Sequence, residues 1–165
     1  RAREAVQEIV SDTEAAYSPG ALWPTHEWDG YRAALPMKNL YVGAAGVVWG
    51  LNRLRRRGYE STLDLRDAAQ RALELFRRAP DYVEGDIVPE QKRSALLTGE
   101  TGIALVAWQL EPTETLEAEL LALVRDNLSN DVNDLMWGVP GTLLAARALN
   151  ARTGKDAWAD AVSAS

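Results

Sequence analysis

The sequence predicts an all-α fold in which apolar and amphipathic helices alternate, and three observations carry that prediction. A frame of Leu-x-x-Gly-x-x-Gly, followed eight residues later by Leu, occurs at Leu40–Leu54, Leu96–Leu110 and Leu135–Leu149. Each copy is followed by a helical pattern with one narrow apolar stripe. No stretch shows the sustained polar-apolar alternation of a half-buried strand.

Taken in order, residues 1–16 place Ala2, Ala5, Val6 and Ile9 on one face, which predicts an amphipathic outer helix. Residues 17–39 are rich in Pro, Gly and charge and read as a connection. The first glycine helix starts at Gly43. An outer helix over 62–79 lines up Leu65, Ala69, Ala72 and Phe76, and Pro80 stops it. A second connection, 81–93, leads to the glycine helix at Gly99. After Pro112, residues 113–128 group Leu116, Leu120, Leu123 and Val124. The third glycine helix starts at Gly138, and Gly154 is placed to cap its C-terminus. A further amphipathic helix opens at Asp156 with Trp158, Ala159 and Val162 on a common side.

Helices that are apolar nearly all round, alternating with helices that have one apolar stripe, fit an inner ring sheathed by an outer one, as in an α/α toroid. Residues 1–165 are accordingly expected to form a single domain, an arc of such a ring. Neither the first residue, Arg1, nor the unstopped end at Ser165 has the form of a natural chain terminus, so the chain is expected to be a segment of a longer one.

Composition narrows the chemistry. Eighteen basic against twenty-four acidic side chains give a net charge of −6, which disfavours a nucleic-acid partner. No apolar run reaches the 18 or more residues needed to span a bilayer. The N-terminus lacks an export signal, so a cytoplasmic setting is expected. The chain has no cysteine, which removes thiol nucleophiles and thiolate metal sites, and its one histidine is His26.

Two glycines three apart leave a strip without Cβ atoms on the first turn of a helix, at a cost of about 1 kcal/mol each relative to Ala. Three such pairs call for a shared purpose. One is close packing between neighbouring inner helices; the other is a set of free N–H groups and positive dipole ends aimed at a central cavity.

The units Leu40–Gly46, Leu97–Gly102 and Asp134–Gly141 resemble, in order, the first three Gly-x-x-Gly helices of the lanthionine synthetase C-like family. The resemblance covers nearly the whole chain and corresponds to the N-terminal half of a typical member. It implies a double-layered α/α toroid that adds a thiol across a dehydroalanine or dehydrobutyrine of a peptide substrate to form a thioether. The zinc that activates the thiol in that family is held by two Cys and one His in later repeats. Zinc is therefore expected only if such repeats follow, no metal or cofactor ligand is expected from this chain, and the chain alone is expected to be inactive. Asp134 matches an acidic position that precedes the third glycine helix, where the resemblance implies a carboxylate assisting proton transfer. The competing reading of Asp134, with Asp131 and Asn133, is a cap for the helix at Gly138.

Other candidates have plainer readings beside the functional one. His26 sits in Trp23-Pro-Thr-His-Glu-Trp28, either a loop or a lip over a cavity. Trp49 and Trp108 are expected to fill the core, and Trp137 to contact a peptide or a sugar. Arg53, Arg55, Arg56 and Arg57 read as a solvated helix end that complements the dipole. Asn127-Leu-Ser129 matches a glycosylation sequon by chance. Two alternatives stand beside the thioether-forming reading. One is a non-catalytic module that binds a peptide or partner, or self-associates, through open inner helices. The other is an α/α-toroid glycoside-active protein with Glu27 and Asp29, or Asp131 and Asp134, as its carboxylate pair.

Overall fold

The computed structural model describes residues 1–163. Among them are α1 (Ala2–Ala15), α2 (Ala44–Arg56), α3 (Leu65–Arg78), α4 (Glu100–Leu110), α5 (Glu114–Asn127), α6 (Val139–Thr153) and α7 (Asp156–Ser163), with no strand. The protein is all-α, and among the described residues no helix is long and apolar enough to cross a membrane.

Local chemistry sets the ends. The glycine helices α2, α4 and α6 begin after Gly43, Gly99 and Gly138, each in extended backbone. The amphipathic helices begin on side-chain caps: Asp64 accepts from the N–H groups of Arg66 and Asp67, and Thr113 accepts from Leu116 N. Gly154 closes α6 in the left-handed conformation, at φ 65°.

The helices touch in a regular order. α2 meets α4 and α4 meets α6, while α3 lies against both α2 and α4, α5 against α4 and α6, and α7 against α5 and α6. α4 is the centre of this arrangement, buried from Glu100 to Trp108. Leu65, Ala69, Ala72 and Phe76 of α3, and Leu116, Leu120 and Val124 of α5, form one core with Val48, Ile103, Leu149 and Trp158.

Three expectations need correction. The stripe predicted on α1 is not its buried face: Val10 is the buried residue and Ile9 is 61% exposed. α1 is instead tethered to residues 58–63 by polar bonds. Arg3 donates to Gly58 O, Gln7 and Glu60 exchange two bonds, and the Glu14 carboxylate accepts from Ser61 Oγ, Thr62 N and Leu63 N. Trp108 is buried as expected, but Trp49 is 42% exposed beneath the Arg53 guanidinium, 5.0 Å from its ring centroid. On α7 the fully buried pair is Trp158 and Ala161.

Candidate functional site

The three glycine frames build the same local structure, in which the glycines receive the chain's own preceding loop. The chain before each helix folds back over the first turn, and the glycines make room for it. A Cβ on Gly46, Gly102 or Gly141 would fall closer than 3.0 Å to the carbonyl oxygen of the leucine six residues earlier: Leu40, Leu96 and Leu135. A Cβ on Gly43, Gly99 or Gly138 would strike backbone atoms four to six residues earlier. Gly102 also meets a side chain of another frame, that of Leu40. The glycines therefore accommodate the chain's own preceding loop rather than a neighbouring helix.

The same loops take up helix N–H groups. In every frame the first helical N–H donates to the carbonyl seven residues earlier: Ala44 to Met37, Glu100 to Arg93 and Val139 to Val132, at 3.0, 2.7 and 3.2 Å. These N–H groups are thus occupied and do not point free into a cavity.

Asp134 sits in the third of these loops, half-buried. Its Oδ1 accepts from Met136 N at 2.7 Å, Trp137 N at 2.9 Å and Gly138 N at 3.4 Å, while Oδ2 makes no hydrogen bond to protein. Asn39 holds the matching position in the first loop and accepts from Tyr41 N and Val42 N in the same way. The second loop has Ala95 there. Two of the three loops thus share an Asx turn, for which a neutral amide oxygen suffices.

Each loop is anchored from outside. Asp81, just beyond α3, is fully buried; it accepts from Lys38 N and Asn39 N and pairs with Lys38 Nζ at 2.8 Å. Burial pushes the Asp81 carboxyl above its usual range, against the pull of Lys38 and the two backbone N–H groups. The second loop is tied by Ser94 Oγ to Asp126 of α5. For the third, Asn127 Nδ2 reaches Trp137 O, Gly138 O and Thr142 Oγ1, so the sequon asparagine is a buried clamp. Glu100, in the first turn of α4, accepts from Arg77 Nε and Arg93 Nε.

The remaining candidates are scattered. His26 is exposed, and its Nδ1 accepts from Trp28 N at 3.3 Å. Trp28 is 80% exposed, whereas Trp23 is buried, donates to Thr13 O and packs at a tilt against Tyr17, so the two do not form a lip together. The Trp137 carbonyl accepts from Asn127 and Asn130. Glu27, Asp29 and Asp131 are exposed. The chain has no cysteine, and among the described residues no three of His, Asp and Glu gather closely enough to hold a metal ion, so the residues present do not fit a zinc centre.

One cleft concentrates charge, and three of its arginines, Arg53, Arg56 and Arg57, belong to the run that reads from sequence as a solvated helix end. It has a volume of about 330 Å³ and lies where the C-terminal ends of α2, α4 and α6 meet, lined by Trp49, Arg53, Arg56, Arg57, Gln109 and Arg152. Arg55 is turned away from it, donating to Ser61 Oγ and Leu63 O. The Arg152 guanidinium lies 5.6 Å from the centroid of Trp108. A cation at a helix C-terminus gains about 0.3–1 kcal/mol, yet like charges three and four residues apart, as at 53, 56 and 57, cost about 0.2–0.5 kcal/mol per pair. The dipole alone therefore gives little reason to collect four of them.

Compared with protein-family models, with curated proteins and with solved structures, the chain matches none of them.

Proposed function

We propose that this chain is an arc of a lanthionine synthetase C-like α/α toroid, whose glycine helices form the inner layer and whose amphipathic helices form the outer one. The observation that carries the reading is the threefold recurrence of one loop-on-helix geometry, on helices that touch in the order α2, α4, α6 while α3 and α5 each bridge a successive pair and α7 lies against α5 and α6. In this reading a peptide thiol adds across the Cα=Cβ bond of a dehydroamino acid. An S–Cβ bond forms, and a proton is delivered to Cα. Two Cys and one His in repeats outside this chain would hold the zinc.

Asp134 is the residue of this chain assigned to the proton. Capping and chemistry are compatible there, because Oδ1 is used by the turn and Oδ2 is not. Asp134→Asn separates the two roles: Asn39 demonstrates that an amide oxygen makes the same turn, so the variant keeps the loop and loses only the carboxylate. The assay is thioether formation on a dehydrobutyrine-containing peptide by the full-length product of the gene, with zinc titrated. The expected result is cyclisation that depends on zinc and falls by about 10²-fold or more in Asp134→Asn. Unchanged cyclisation in the variant removes Asp134 from the mechanism, and a gene without Cys and Cys-His repeats downstream removes the enzyme.

A second reading, a module that binds peptides or a partner, draws support from Leu144 on α6 and from Leu135 and Tyr41 in the loops, all at least half exposed.

A further inference from the structure

We propose that the cleft between the C-terminal ends of α2, α4 and α6 binds a phosphate-bearing small molecule. Arg53, Arg56, Arg57 and Arg152 supply the charge, and Trp49 supplies a stacking surface. This rests on the cleft alone and not on the thioether-forming reading.

Four guanidinium groups from two helices face one space, in a chain whose net charge is −6. Among the described residues none of the four lies within ion-pair distance of a carboxylate. Nor does any of the four donate a side-chain hydrogen bond to protein, although Arg55 beside them does. Asp64 lines an adjoining cleft that shares Arg56 and Gln109; its Oδ1 caps the start of α3, and it lies beyond ion-pair distance of the four arginines.

The chemistry that matches is a compact dianion or trianion. A carboxylate would balance one of the four charges; a phosphate monoester or diphosphate balances two or three and offers the paired oxygens that guanidinium forks bind. The volume of about 330 Å³ is that of a small-ligand site. Trp49 is 42% exposed, so the part of its ring left open by Arg53 gives a flat ring attached to the phosphate a surface to stack on. An extended polyanion is disfavoured, because beyond a Debye length of about 10 Å it meets the acidic remainder of the chain.

The test is calorimetric titration, at fixed ionic strength, with inorganic pyrophosphate, with adenosine 5′-diphosphate and with sulfate as control. Saturable one-to-one binding of a diphosphate is expected, weakened at least tenfold in Arg56→Ala/Arg152→Ala and unchanged in Arg78→Ala, which lies outside the cleft. Arg53→Ala supplies an independent variant, and thermal unfolding checks that each variant is folded. Preference for the nucleoside diphosphate, lost in Trp49→Ala, identifies a ring-bearing ligand; equal affinity for pyrophosphate identifies the free anion. Failure of both diphosphates to bind at millimolar concentration overturns the proposal. So does equal weakening in Arg78→Ala, or binding of single-stranded RNA that strengthens with length while pyrophosphate does not bind.

Discussion

At the scale of single residues, the most consequential interactions join positions far apart in the chain. Lys38 and Asp81 are both fully buried, and neither has water to replace its partner. Removing one charge from such a pair costs about 3–5 kcal/mol, because the other is left uncompensated in a poor solvent for ions. Lys38→Met is accordingly expected to lower unfolding stability by about that amount at pH 7. The loss should shrink toward pH 5, where a proton can neutralise an Asp81 carboxyl already raised by burial. Urea unfolding at the two pH values checks this; an equal loss at both would mean that Asp81 does not take up the proton. Nothing in the chain's periodicity marks this pair, since hydrophobic spacing says nothing about which two polar residues meet across 43 positions. Asn127 was visible only as a sequon and turned out to be a buried clamp, for the same reason. The glycines were legible as a set; their contact surface was not, because a missing Cβ says that something comes close without saying what.

At the scale of elements, helix existence and type were readable throughout, and the outer stripes of α3 and α5 were placed nearly residue by residue. α1 departs from its predicted stripe because it docks through polar bonds, which hydrophobic periodicity does not report. The Glu14 carboxylate is pushed up by burial, but hydrogen bonds from Ser61, Leu63 and Thr62 outweigh this and hold it below its ordinary value. With the folded value lower than the unfolded one, the unfolded chain binds more protons between them. The tether is thus at full strength above pH 4.5 and is lost as pH falls through the folded value. Amide hydrogen exchange should show α1 losing protection on acidification before α4 does, and Glu14→Gln should abolish that difference in pH response while costing about 1 kcal/mol or more at neutral pH. Loss of protection in α1 and α4 together at every pH would contradict a separable tether.

At the scale of the whole molecule, burial on all sides and burial on one side leave different patterns in a sequence, and of the three glycine helices only α4 is buried nearly all round. It is covered from Glu100 to Trp108 by the helices on either side. α2 and α6 are the less covered members of the series, with Trp49 and Leu144 exposed, and that is why Trp49 does not lie in the core. If those open faces recruit a partner or a second copy, light scattering of the 18.1 kDa chain will report a mass above that of the monomer; a single monomeric species counts against the module reading.

The claim on which the rest depends is that the three glycine frames are one structural device used three times, each receiving its own preceding loop. Urea unfolding of Gly46→Ala, Gly102→Ala and Gly141→Ala beside Gly50→Ala tests it directly. A Cβ at Gly50 meets nothing within 4 Å, so helix propensity should dominate there and stabilise by up to about 1 kcal/mol. At the other three positions a Cβ meets a backbone carbonyl that has to move, and each variant should lose about 1–3 kcal/mol. Three gains of the size seen at Gly50 would contradict the account.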